Sequence, residues 1–103
     1  MINPIVVINQ VFELQQKIAQ NGLTESFERN FNRLYTVFEE EGFLLQDPTG
    51  ESYSETRADY EASISGRVTS SMTIIRTIKP IIYHRKDGQM LLVQKGVVIA
   101  ENK

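Results

Sequence analysis

Residues 42–66 read GFLLQDPTGESYSETRADYEASISG, and the chain changes character across them. Before this stretch the apolar residues recur at helical spacing, and after it they come in β-branched runs. Within it, Phe43-Leu44-Leu45 reads as a short buried strand. Asp47-Pro48-Thr49-Gly50 has turn chemistry, because proline fixes one dihedral and glycine admits a positive one. Residues 51–61 are polar with Tyr53 and Tyr60 interspersed, which predicts a loop or a single helical turn near Glu55–Asp59. Ala62–Ser65 is expected as a second strand, ended by Gly66. The stretch is therefore the joint between a helical part and a small sheet.

Upstream, Asn3-Pro4 is a helix start: asparagine can cap free N–H groups, and proline at the first helical position loses a donor that had no partner. Val7, Val11, Leu14 and Ile18 follow at spacings of 4, 3 and 4, with Ile5, Ile8 and Phe12 as a second stripe. Gly22 supplies a left-handed C-terminal residue, after which Leu23 can pack back on Ile18. Thr24 is expected to cap a second helix. Its Phe27, Phe31, Leu34 and Phe38 repeat the 4-3-4 spacing, and Gly42 ends it. The helices should span about residues 4–21 and 25–41, and so short a joint predicts an antiparallel hairpin. Two helices alone cannot bury both stripes of the first. Either the sheet covers one or a second copy of the hairpin does, and the doubled stripe favours a homodimer through Val7, Val11, Leu14, Ile18, Phe27, Phe31 and Leu34.

Downstream, Thr69–Ile78 should be a strand with Met72, Ile74 and Ile78 on one face and Ile75, Thr77 and Lys79 on the other. Pro80 breaks or bends it, since proline cannot donate to a ladder. Ile81–His84 resumes, Asp87-Gly88 closes a hairpin turn, and Gln89–Val93 returns antiparallel. Lys95-Gly96 is expected as a bend or bulge before Val97–Ala100. The fold class is α+β: a helical hairpin over 1–42, the dimerisation part, then a small, mainly antiparallel β-domain of four to six strands over 43–103.

At 103 residues the chain is sized for one domain, and its 41% apolar content argues against disorder. With no cysteine, disulfides, thiolate zinc sites and a cysteine nucleophile are excluded together. No apolar run reaches membrane-spanning length and no basic n-region precedes one, so a cytoplasmic address without membrane association is expected. Charge is uneven: residues 1–51 carry three basic and eight acidic side chains, residues 52–103 eight and five. That asymmetry could steer a protein partner, but the basic half is too sparse to predict nucleic-acid binding.

Chemistry-bearing motifs are few. His84 is the sole histidine, so no metal is expected. No serine sits in a Gly-x-Ser-x-Gly elbow, and no phosphate-cradling glycine loop occurs. Asp59 and Glu61 could serve as paired carboxylates, yet two acids in a polar segment are more often solvated. Neither a catalytic residue nor a cofactor is predicted. What remains is a binding surface: Tyr53, Arg57, Tyr60 and Arg67 gather in or near the joint, and tyrosine and arginine anchor protein interfaces most often.

The order of parts resembles GrpE, the nucleotide exchange factor of DnaK-type chaperones. LYTVFEEEGFLLQDPTGESY (34–53) is similar to that family's leucine-rich helix running into Gly, apolar, then Gly-x-x-Phe, with Gly42, Gly50 and Tyr53 in those places. Glu61-Ala62 resembles the Glu-Ala that follows, and MLLVQKGVVIAE (90–101) resembles the closing strand. Ser54-Glu55 stands where the family has Asp-Pro, Tyr60 where it has His, and Gln94-Lys95-Gly96 where it has Arg-Pro-Ala. The family's long N-terminal helix has no counterpart in this sequence. The resemblance implies a helical pair forming half of a dimeric four-helix bundle. It also implies a β-domain that wedges open the chaperone's nucleotide-binding domain. Tyr53, Arg57, Tyr60, Glu61, Arg85 and Lys86 are then the partner-contact candidates.

Overall fold

A computed structural model describes residues 2–67, 69 and 71–102. Helix α1 runs Pro4–Gln20 and α2 Thr24–Glu40. The Asn3 side chain accepts from the Ile5 N–H at 3.0 Å, as a cap should. At the other end Gly22 takes a φ of 70°. The Gly22 N–H reaches the Ala19 carbonyl and the Leu23 N–H reaches that of Ile18, both at 3.1 Å, which stops the helix with its last carbonyls satisfied. Leu23 also stands at the N-cap of α2 and offers no side-chain cap, so Thr24 is the first helical residue rather than the cap. The turn is too short to spare a separate capping position.

The two stripes of α1 part company. Ile8 and Phe12 are buried, on the side where polar residues reach the sheets. Asn9 and Gln94 exchange amide hydrogen bonds at 2.7 and 2.8 Å, and Gln16 Nε2 donates to the Thr77 carbonyl at 2.7 Å. The sheets therefore cover the Ile5–Ile8–Phe12 stripe. Across the hairpin, Tyr35 donates to Gln15 Oε1 at 2.6 Å, and burial together with the charge of Asp47 pushes its phenol up to about 12.

The β part forms two sheets of three strands. One has the order β1 (Phe43–Gln46), β4 (Ile81–Lys86), β5 (Gln89–Gln94), all antiparallel; the other has β2 (Tyr60–Ser65), β6 (Gly96–Asn102), β3 (Met72–Lys79). In the second, β3 runs antiparallel to β6 but β2 runs parallel to it. Both sheets are ends of one long bent hairpin. Its outgoing arm, β3 then β4, breaks at buried Pro80; its returning arm, β5 then β6, breaks at Lys95, one position along from the residue facing that proline, since Lys79 faces Val97 and Ile82 faces Gln94. Gln94 Nε2 donates to the Pro80 carbonyl at 2.9 Å and so clasps the two breaks together. At the tip Asp87 and Gly88 have φ of 53° and 78°, the pair of positive dihedrals that suits a two-residue hairpin turn.

Strand β3 departs from simple alternation. Its ladder with β6 slips between Ile74 and Arg76 and again between Thr77 and Lys79, leaving Ile75 and Ile78 unpaired. Each extra residue shifts the side-chain phase by one. Thr77 thereby enters the core and Ile78 is half-exposed, the reverse of the strict alternation that the sequence predicts. Thr77 Oγ1 and Thr49 Oγ1 lie 2.8 Å apart, and Thr49 Oγ1 donates on to Asp47 Oδ1 at 2.7 Å, so the buried hydroxyl is satisfied. The expected strand start at Thr69 includes Ser70, which lies outside the described residues.

Tyr60, Ile74, Ile81 and Val98 form the core between the sheets, with Tyr53, Ala62 and Tyr83 packed around it. The expected bend falls at Lys95, between β5 and β6, and Gly96 is the first residue of β6. A Cβ there would lie 2.8 Å from Ile81 Cγ1 and 3.3 Å from Tyr60 Cβ. Glycine is required for space.

Candidate functional site

The joint folds back on the second sheet. The Gly50 N–H donates to the Ile74 carbonyl (2.7 Å), the Ile74 N–H to that of Glu51 (2.9 Å), and the Tyr53 N–H to that of Met72 (2.9 Å). Residues 50–53 are thus pinned along the outer edge of β3, with Ser52 bridged to Thr73. Residues 54–59 form a rim, anchored at its far end where the Gly96 N–H donates to the Asp59 carbonyl at 2.9 Å.

Arg57 organises that rim. Its Nε and Nη2 donate to the two carboxylate oxygens of Asp59 at 2.9 and 2.6 Å, and its Nη1 donates to Glu51 at 3.0 Å. The guanidinium carbon lies 4.8 Å from the centre of the Tyr60 ring, a cation–π placement. Tyr83, on β4, donates to Asp59 Oδ2 at 3.2 Å. The hydrogen bonds from Arg57 hold the Asp59 carboxyl below the usual aspartate range, against the opposing effect of burial. Burial first, and the Asp59 charge second, push the Tyr83 phenol up.

The candidates from sequence fall into three groups. Tyr53, Arg57 and Tyr60 come together, the two rings 6.2 Å apart. Tyr60 is only 5% exposed, and its hydroxyl accepts from the Ser54 N–H at 2.9 Å, so it builds the rim from beneath and presents no surface to a partner. Glu61 alternates to the other side of β2 and is exposed. Arg85 and Lys86 stand exposed at the hairpin tip, joined to the rim only along β4 through Tyr83. Asp59 is engaged by Arg57 and Tyr83 and is not paired with Glu61, which points to the other side of β2. Sequence reading missed Glu51 and Tyr83 as rim members. The Arg57-x-Asp59 spacing was the visible signal, while Tyr83 is distant in sequence and arrives through the fold.

His84 stacks on Phe43, ring centres 4.2 Å apart and planes 9° apart. Among the described residues no group of three or more His, Cys, Asp or Glu side chains could hold a metal ion, and no helix is long and apolar enough to cross a membrane.

The helical candidates divide as well. Val7 and Leu14 are 38% and 52% exposed on α1, and Phe27 and Leu34 are 39% and 38% exposed on α2, whereas Phe31 is buried. Val11 and Ile18 are half-buried. Phe31 therefore belongs to the chain's own packing rather than to an open face. No protein-family model, no curated protein and no solved structure matches the chain.

Proposed function

We propose that the chain is a non-enzymatic, cytoplasmic protein-binding module: a GrpE-like co-chaperone that dimerises through its helical hairpin and promotes nucleotide release from a DnaK-type chaperone. The observation that carries the binding-module reading is the division of α1. One stripe is satisfied by the sheets, while Val7 and Leu14, with Phe27 and Leu34 of α2, are left as apolar surface beyond what the chain itself covers. A helical pair with one uncovered side is half of a bundle. The exchange activity rests on the resemblance in the order of helical pair and β-domain. Its mechanism would be a shift of populations: the β-domain binds the open, nucleotide-free chaperone more tightly than the closed one. The exposed side chains of Glu61, Arg85 and Lys86, with the half-exposed Arg57, are the groups available for that contact.

The test is the release rate of a fluorescent nucleotide from a DnaK-type chaperone. Saturable acceleration by the chain is expected, and an unchanged rate at saturation rejects exchange activity. A second reading, a homodimeric adaptor with another partner, is favoured by the internal engagement of Arg57 and Tyr60, and an unchanged rate would leave it standing. Dimerisation is tested separately. Leu14→Glu should halve the mass seen by sedimentation while changing the stability of the single chain by no more than about 0.5 kcal/mol, as an exposed position allows. A mass unaltered by Leu14→Glu would remove the helical dimer.

A further inference from the structure

The joint between the helices carries the chain's single Asn-Gly dipeptide, Asn21-Gly22. Glycine after asparagine leaves the next amide nitrogen unobstructed, so that nitrogen reaches the side-chain carbonyl carbon more easily than before any bulkier residue. Both residues are exposed, and a Cβ on Gly22 would meet nothing within 4 Å, so water reaches the bond. The fold nevertheless holds the reaction back at three points. Asn21 Nδ2, the leaving amide, donates to the Lys17 carbonyl at 2.8 Å. The Gly22 N–H, whose nitrogen must attack, donates to the Ala19 carbonyl at 3.1 Å. Asn21 has a ψ of 9°, which nearly eclipses the Gly22 nitrogen with the nitrogen of Asn21 and turns it away from Cβ. A five-membered ring through Cβ needs that torsion swung round. The swing pulls the Gly22 and Leu23 N–H groups off the carbonyls of Ala19 and Ile18.

We infer that Asn21 is a self-modifying site guarded by the C-terminal cap of α1, and that opening of the helical joint releases it to deamidation. When the joint opens, the Gly22 nitrogen attacks Asn21 Cγ and forms the N–Cγ bond. The Cγ–Nδ2 bond breaks, and Nδ2 leaves as ammonia with the proton that the Gly22 nitrogen gives up. Water then opens the cyclic imide at one of its two carbonyls, leaving aspartate or isoaspartate at position 21. Either product weakens the cap that held the reaction back. A carboxylate replaces the Nδ2–H donor to the Lys17 carbonyl and sets negative charge at the negative end of the helix dipole. Isoaspartate also routes the main chain through the side-chain carbon, lengthening a joint that has only Asn21, Gly22 and Leu23 between the helices. The change therefore runs one way, from a closed hairpin to a looser one. It depends neither on exchange activity nor on any partner.

The test follows the parent chain by intact mass and peptide mapping at mildly alkaline pH. In urea concentrated enough to unfold the chain, Asn21 should convert before any other asparagine. In the folded chain it should convert at least about tenfold more slowly, at a rate set by local opening of the joint. Asp87-Gly88 can close a similar ring, but it loses water and regains it, so it adds nothing to the mass count. The isolated isoaspartate product should melt below the parent chain, and below the Asn21→Asp variant, which carries the charge without the longer main chain. Equal rates in the folded and unfolded chain overturn the guarded site. So does another asparagine converting first on unfolding, or an isoaspartate product as stable as its parent.

Discussion

Gly96→Ala should lower stability by about 1–3 kcal/mol, the usual cost of forcing an added methyl into a packed core. In a domain of this size that is a fall in Tm on the order of 10 °C, measurable by thermal or urea denaturation. The added methyl would meet Ile81 Cγ1 at 2.8 Å, and Ile81 is wholly buried. Relief by moving the backbone is also resisted. The Gly96 N–H donates to the Asp59 carbonyl at 2.9 Å, and Gly96 lies opposite Tyr60 in the parallel ladder. Gly50→Ala is the control, since its Cβ would meet nothing within 4 Å and only the positive φ of 92° opposes it. A smaller loss at position 96 than at position 50 would mean that the two sheets pack less tightly than the geometry states.

Arg57→Met should cost about 2–3 kcal/mol, because it leaves a largely buried carboxylate without its partner. The side chain of Asp59 is 16% exposed, against 31% for Arg57, so solvent can replace only part of what is lost. The loss also depends on pH. Asp59 is held below its ordinary value of 3.8 when folded, so its contribution is complete above that value. It disappears as pH falls through the depressed folded value. The stability gap between the parent chain and Arg57→Met should therefore be constant around neutrality and close below about pH 4. A gap that persists unchanged in acid would assign the effect to the packing of Arg57 on Tyr60 instead of to the ion pair.

Much of this fold could be read from local pattern. The caps at Asn3 and Gly22, the helical spacing of Val7 to Ile18 and of Phe27 to Phe38, and the Asp87-Gly88 turn each depend on residues a few positions apart. Boundaries of both helices and of the β4–β5 hairpin follow from them. The candidate site was less legible. Tyr53, Arg57 and Tyr60 stood out by residue type, but their division of labour did not, because whether a tyrosine is under a rim or on it depends on what lies above it. Glu51 and Tyr83 joined the rim only through the pairing of 50–53 with β3 and of β4 with its neighbours.

By itself, then, the amino-acid sequence determined the α+β class, the order of elements and the two-stripe character of α1, since propensity, capping and turn chemistry act over one or two turns of chain. Tertiary structure alone decided the rest. The breaks at Pro80 and Lys95 fall at neighbouring positions of the hairpin and split one sheet into two; the β3 bulges carry Thr77 inward and Ile78 outward; and β2 finds a parallel place beside β6. Each of these depends on which distant strand lies opposite, and strand register is set by the burial of a shared core, a property no single segment possesses.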